Sequence, residues 1–204
     1  MPDLTSLAAR MLHGLPLAED AQITLSTSLY GIDRLFLACV EKIRVSLLDF
    51  RLFVDDLETA KRIGRAYPNL TIAGCAEKLS HADIRHFGVQ VLPGIGSEAT
   101  ELHTLQNAVR SGAVHVRLLG TQPPAQAAEA FLREQGFRAY APRAYALPGF
   151  EQRACFDAQV ETLGLGPGMK TFMDGILSKT VDSVEDYVNA GGDYTQLVEW
   201  AREL

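Results

Sequence analysis

From residue 52 to residue 145 the apolar positions switch repeatedly between strand-type runs and helical spacing. Leu52-Phe53-Val54, Leu70 to Ala73, Val89 to Leu92 and Val114 to Leu119 are short strand-like runs, and Phe137 to Tyr145 is a longer extended segment. Between them, Asp56 to Tyr67, Ser80 to Phe87, Glu98 to Ser111 and Pro124 to Gln135 carry the spacing of amphipathic helices. The punctuation agrees. Pro68 follows the first helix, Ser80 is an N-cap with Asp83 at the capping-box position, and Gly112 and Gly136 close the last two as C-caps. Strands separated by helices predict βαβ units and a largely parallel sheet. The few units present fall short of a closed eight-unit barrel, which takes roughly 200 to 250 residues or more. The expected fold is therefore α/β, a partial (β/α) barrel or open, mostly parallel sheet flanked by helices, with a small C-terminal helical appendage.

The ends follow other patterns. Residues 3–30 are expected to hold N-terminal helices. Leu4, Leu7, Ala8, Met11 and Leu12 share one side of a helix from Asp3 to His13, and Pro16 stands at the start of a second. Residues 31–53 fit two readings. Leu35, Cys39, Ile43 and Leu47 match a helical face, while Arg34 to Val40 and Ile43 to Leu48 match two buried strands. The βα-repeat core is expected over 1–150. Residues 151–204 are expected to add a glycine-rich turn, a short capped helix at Asp182 to Val188, and a last helix from Tyr194 to Leu204 burying Leu197, Val198 and Trp200. Asp182, Glu185 and Asp186 read as a solvated helix start favoured by the dipole rather than as a metal site.

Composition narrows the class of partner. With 204 residues, 47% of them apolar and 22% charged, the chain can bury a real core. A net charge of −6 argues against nucleic acid as an electrostatically driven partner. The first residues lack a basic n-region, and no apolar run approaches the roughly twenty residues that span a bilayer. A cytoplasmic protein with no membrane partner is the expectation.

Several candidate chemistries fail on spacing. Lys170-Thr171 preceded by Gly164 resembles a phosphate-binding loop, but Met169 stands where the motif needs its second glycine. Cys39, Cys75 and Cys155 are too far apart for a chelating motif, and Cys39 sits in an apolar run typical of a core. His81 and His86 miss the spacing that puts two ligands on one helix face. What remains follows from the parallel sheet, whose sites gather at the strands' carboxyl ends. There lie Gly74-Cys75, the segment Pro93 to Glu98 with Gly94, Gly96 and Glu98, and Gly120-Thr121-Gln122. His115 and Arg117 alternate with Val114, Val116 and Leu118 on one face of their strand, and Gln90 lies likewise between Val89 and Val91. Facing a lumen, the basic pair would hold a carboxylate or phosphate; facing solvent, the two are surface residues.

Taken in order, Gly88 to Gly94, His115-Val116-Arg117-Leu118, Gly136 to Tyr140, Ala146 to Glu151, Leu163-Gly164-Leu165-Gly166-Pro167-Gly168 and Phe172-Met173-Asp174-Gly175 resemble a known series. The resemblance is to radical S-adenosylmethionine (SAM) enzymes of the oxygen-independent coproporphyrinogen oxidase branch, and the N-terminal helices are similar to the entry of biotin synthase and methylornithine synthase. It implies a (β/α) barrel, and SAM or a porphyrin as ligand; the substrate- or cofactor-binding candidates remain Gln90, Gly94, Gly96, Glu98, His115, Arg117, Gly166 and Lys170. The residues themselves establish no cofactor and no metal. The chain also departs from the family, because the C-x-x-x-C-x-x-C loop that holds three irons of the [4Fe–4S] cluster is absent from its sequence.

Three readings follow. In the first, the chain is a radical-SAM-like barrel without redox chemistry, a binding or partner subunit in cofactor or amino-acid biosynthesis. In the second, it is an enzyme that applies Lys170, Glu98, His115 and Arg117 to non-radical chemistry on a small anionic substrate. In the third, a truncated fold serves oligomerisation and exposes the apolar surface that missing strands would cover. A small molecule, and a protein partner or second copy, are the expected partners.

Overall fold

The computed structural model describes residues 14, 19, 21–29, 32–43, 45–65, 71–82, 84, 86–152, 160–191 and 193–203. The helix predicted from Asp3 to His13 lies outside them. The chain forms two compact units, Met1–Glu151 and Gln152–Leu204.

The N-terminal unit is built on a six-stranded sheet of β1 (Thr24–Thr27), β2 (Leu47–Phe53), β3 (Phe87–Val91), β4 (Ala113–Leu118), β5 (Arg138–Ala141) and β6 (Ala144–Ala146). The strand order is β1-β2-β3-β4-β6-β5. The first four pair in parallel and the β5–β6 hairpin adds an antiparallel edge. Among the described residues five helices intervene: α1 (Arg34–Ile43), α2 (Leu57–Arg62), α3 (Ile72–His81), α4 (Glu98–Arg110) and α5 (Gln126–Glu134). Four of them start on side-chain caps. Asp33 accepts from Phe36 N, Asp56 from Thr59 N, Thr71 from Gly74 N and Ser97 from Thr100 N, each satisfying a donor the first turn leaves orphaned.

Helix and sheet share one core. Phe50, Val89 and Val116 of the strands cluster with Ile72, Cys75 and Leu79 of α3, Leu105 of α4 and Leu132 of α5, all at most 1% exposed. Each large apolar side chain so buried contributes about 1.5–3 kcal/mol. Because side chains alternate along a strand, the residues between these lie on the sheet's other face, and there the pattern is polar. Ser26, Asp49, Gly88 and His115 occupy successive registered positions across β1 to β4.

The architecture is the expected α/β partial barrel, with local differences. Leu70 to Ala73 is not a strand. Thr71 caps α3, and Ile72, Cys75 and Leu79 recur at helical spacing into the core, which a short apolar run alone does not reveal. Ser80 therefore sits in the last turn of α3 rather than capping a helix to Phe87, which lies in β3; Asp83 is outside the described residues. Residues 31–53 combine both readings, a helix to Ile43 and then one strand to Phe53. Part of the expected N-terminal helical region is β1, and α2 stops at Arg62, short of Tyr67.

Among the described residues the C-terminal unit has a three-stranded antiparallel sheet, β7 (Lys170–Met173), β8 (Ile176–Thr180) and β9 (Val198–Glu203), with two short helices, α6 (Val184–Asn189) and α7 (Tyr194–Leu197). Asp174 and Gly175, both at positive φ (51° and 77°), make the two-residue turn between β7 and β8, as Asp-Gly hairpin turns require. The helix expected through Leu204 ends at Leu197. Val198 and Trp200 then alternate with exposed residues along β9, half-buried against β8 rather than enclosed. A four-residue helix had too few bonds to propagate, while pairing with β8 satisfies the backbone.

Candidate functional site

The registered polar row brings three buried groups together. Asp49 on β2 and His115 on β4 flank Gly88 on β3. Their side chains are 7% and 3% exposed, with Oδ1 and Nδ1 3.9 Å apart. A Cβ at Gly88 would lie 2.7 Å from Asp49 Oδ1 and 3.0 Å from His115 Nδ1, so only glycine leaves these two side chains room to face each other. Gln90 Nε2 donates to Asp49 Oδ2 at 2.5 Å and to Ser26 Oγ at 3.3 Å. On the far side, His115 Nε2 is 2.7 Å from the Tyr140 hydroxyl on β5. Asp49 Oδ1 and His115 Nδ1 are buried without a hydrogen-bond partner, and such groups are rare because each carries an uncompensated desolvation cost of about 1–3 kcal/mol.

A cavity of about 610 Å³ opens at the carboxyl ends of β1 and β2. Ser26, Ser28, Arg51, Arg65, Thr71 and Asn107 are among its lining residues. Phe53 ends β2 at φ 60°, an uncommon conformation for an aromatic residue that clusters at ligand clamps, and the Arg65 guanidinium lies 5.4 Å over its ring. Two acids in the wall are committed to local structure. Asp55 Oδ2 accepts from Asn107 Nδ2 at 2.8 Å while Asp55 N donates to Thr104 Oγ1. Asp56 caps α2, and its hydrogen bonds from the Thr59 side chain and backbone hold its carboxyl below the usual range. Arg51 and Arg65 thus set the charge available to a ligand.

The sequence-derived candidates fall into separate places. Gln90 and Arg117 are registered opposite each other on the polar face that also carries His115. Gly94 and Gly96 form the β3–α4 loop, and Glu98 is the exposed first residue of α4. It is Glu101, one turn on, that is buried and accepts from Ala125 N at 2.9 Å. Gly74-Cys75 is not at a strand end, because both lie in α3. Cys75 is buried and desolvation pushes its thiol up, the opposite of what a metal-binding or nucleophilic thiolate needs. Gly166 and Lys170 belong to the C-terminal unit. Its glycine-rich loop spends its N–H groups internally, Gly164 N on Thr171 Oγ1, Gly166 N on the Tyr187 hydroxyl, Gly168 N on Val181 O and Met169 N on Thr180 Oγ1. Lys170 is exposed at the start of β7. Lys179 Nζ reaches Asp182 at 2.6 Å and Glu199 at 2.7 Å, which accounts for one of the three clustered acids. Among the described residues no three His, Cys, Asp or Glu side chains are grouped to hold a metal ion.

Asp49, Ser26, Tyr140, Arg51 and Arg65 were not singled out by the sequence. The signal for the first was present, since Asp49 and Arg51 alternate with Phe50 and Leu52. It becomes visible only once residues 47–53 are taken as one strand.

The sequence matches no family model and no curated protein. Among solved structures, coproporphyrinogen III oxidase (HemN) from Escherichia coli, a radical SAM enzyme, superposes on 100% of this chain with a TM-score of 0.76 and 11% identity. The match covers 56% of that chain, so the present chain spans about half its length. The radical SAM methyltransferase TsrM from Kitasatospora setae aligns over 69% of this chain and 28% of its own at 15% identity, with a TM-score of 0.44. The chain thus shares the fold of the matching part of that enzyme, a mostly parallel sheet flanked by helices in the manner of a partial (β/α) barrel. No helix among the described residues is long and apolar enough to cross a membrane.

Proposed function

We propose that this chain binds a small anionic molecule in the strand-end cavity, without cluster chemistry of its own, as a binding or partner subunit in cofactor or amino-acid biosynthesis. The observation that carries the reading is the cavity of about 610 Å³ at the carboxyl ends of β1 and β2, with Arg51 and Arg65 beside serine and threonine hydroxyls. Its size falls within the roughly 300–1,000 Å³ of small-molecule sites, and parallel sheets place ligands at this end. The [4Fe–4S] cluster of radical SAM enzymes does not fit the residues here. The sequence lacks the cysteine triplet, and Cys75 is buried in the apolar core with a raised pKa.

The fold neighbour is named for coproporphyrinogen III and for SAM chemistry, which makes coproporphyrin III and SAM the probes to use first. Isothermal titration of the chain with each should give saturable heat for one of them, weakened at least about tenfold, or 1.4 kcal/mol, by Arg51→Ala or Arg65→Ala. No heat with either, or unchanged affinity in both variants, removes the reading. After anaerobic reconstitution, iron and acid-labile sulfide should stay well below one cluster per chain. A stoichiometric cluster would restore redox chemistry to the chain.

A separate observation favours a protein partner. Leu163, Met169, Met173, Ile176, Val184 and Val188, all in the C-terminal unit, are 41–66% exposed. Met173 and Ile176 are registered opposite each other on β7 and β8, and Val184 and Val188 lie one turn apart on α6, pairs that a second copy would cover; light scattering that returns a clean monomer would oppose it.

A further inference from the structure

We propose that Tyr140, His115 and Asp49 form a nucleophilic triad on the polar face of the sheet, directed at a small acyl compound. This goes beyond the cavity reading and does not depend on it. The requirements for an activated hydroxyl are a base within hydrogen-bond reach of the nucleophile and a third group that orients the base. His115 Nε2 lies 2.7 Å from the Tyr140 hydroxyl. Asp49 Oδ1 faces His115 Nδ1 at 3.9 Å, a looser contact of the sort found before substrate binds.

The protonation pattern follows from the partners. Gln90 Nε2 donates to Asp49 Oδ2, which makes Asp49 an acceptor and leaves its other oxygen, buried and unpartnered, in need of a donor. His115 Nδ1 faces it across the Gly88 gap at 3.9 Å. A proton on Nδ1 points at Asp49 Oδ1 across that gap, which must shorten by about 1 Å to become a hydrogen bond, and it leaves the Nε2 lone pair for the tyrosine O–H. The low dielectric around two side chains under 10% exposed strengthens that choice of tautomer. Tyr140 is the half-buried member of the three, so it is the one placed to meet a substrate. Arg117, registered beside Gln90 on the same face, puts positive charge near the acyl oxygen.

The reaction balances with water as the co-reactant. The Tyr140 O–H bond breaks, its proton passes to His115 Nε2, and the oxygen bonds the acyl carbon. The leaving group departs with the proton from Nε2. Water then attacks the acyl-tyrosine, giving a carboxylic acid and the original hydroxyl. Asp49 is a positioning residue throughout.

The test uses N-acetylimidazole on the full chain, with acetylation of the six tyrosines followed by peptide mass spectrometry. Tyr140 should react at least about tenfold faster than the others, since general-base assistance supplies about 10²- to 10⁴-fold, and Asp49→Asn and His115→Gln should each remove the advantage. Nitrogen-detected NMR of His115 should show the Nδ1–H tautomer in the native chain and the Nε2–H tautomer in Asp49→Asn. If His115→Gln fails to fold, Asp49→Asn and the native spectrum still decide. Ordinary reactivity of Tyr140, unchanged reactivity in a folded variant, or an Nε2–H tautomer in the native chain overturns the proposal.

Discussion

In the N-terminal unit Phe50, Val89, Val116, Leu105 and Leu132 are each fully enclosed, whereas in the C-terminal unit Val184 and Val188 stand 66% and 65% exposed and Ala190 is the buried apolar residue among those described. Secondary structure does not explain the contrast, because both units are organised around a sheet with capped helices. The difference lies in layers. The N-terminal sheet has helices whose apolar stripes enter its core, and the helix α6 of the C-terminal unit buries no residue at all. A domain's stability comes from joining two such layers, so the first unit is expected to hold its own shape and the second to lean on something else.

The largest effect that would test this is a cavity in the N-terminal core. Phe50→Ala should cost about 3–5 kcal/mol, read as a shift of the urea midpoint. Phe172→Ala, at a half-buried site on β7, should cost less than half as much. Equal losses would mean the C-terminal unit is as tightly built as the first. Next in size is Gly88→Ala. The new methyl would press on Asp49 Oδ1 and His115 Nδ1 at 2.7 and 3.0 Å, and overpacking of this kind costs about 1–3 kcal/mol. It should also abolish any preferential acetylation of Tyr140, while a variant as stable as the native chain would show that the gap has no structural demand.

Tyr145 sharpens the comparison by pH. Burial first, and then its 2.7 Å hydrogen bond to Glu129, push its pKa up from 10.0 to about 12. The folded state therefore holds this proton more tightly than the unfolded chain. The resulting stability is whole below pH 10 and is lost as pH climbs through about 12. Absorbance titration should find a late-ionising tyrosine that vanishes in Tyr145→Phe. Smaller again are the caps. Ser97→Ala should cost about 1 kcal/mol, because α4 is thirteen residues long and packs Leu105 and Ala108 into the core. Ser183→Ala, at the six-residue α6 with nothing buried, should cost a few tenths at most.

The same contrast governs what could be read from the sequence. The run from β3 through α5 is legible because most of its boundaries carry their own local chemistry, Ser97 at one helix start and Gly112 and Gly136 past two helix ends. The α3 segment was not, since Leu70 to Ala73 has too few residues to show a period, and the Thr71 hydroxyl that sets the helix start becomes informative only when its partner Gly74 N is known. Asp174-Gly175 is a hairpin signal in plain view, overshadowed by the glycines before it. For the candidate site, Gln90, His115 and Arg117 could be placed on strand faces by alternation alone. Asp49 and Tyr140 could not be joined to them, because the register that aligns β2, β3, β4 and the β5–β6 hairpin is a long-range property. Nor could the strand-end cavity, whose arginines come from the end of β2 and the segment after α2.

Charge placed on α6 separates the two ways of accounting for the exposed residues. Val184 and Val188 occupy neighbouring positions four apart on α6. Replacing both by aspartate removes little burial and should change the unfolding free energy by no more than about 0.5 kcal/mol per site, as for ordinary surface positions. If these side chains are merely solvated, sedimentation velocity of the double variant will match the native chain at every concentration. If they meet a second copy, two buried aspartates without partners will be far costlier in the complex than in the free chain. Association will then fail at concentrations where the native chain still associates, with stability of the isolated chain unchanged. In the N-terminal unit Leu57 is the one large apolar side chain exposed among the described residues, so Leu57→Asp is the matching control, and a loss of association confined to the α6 variant would place the partner on the C-terminal unit.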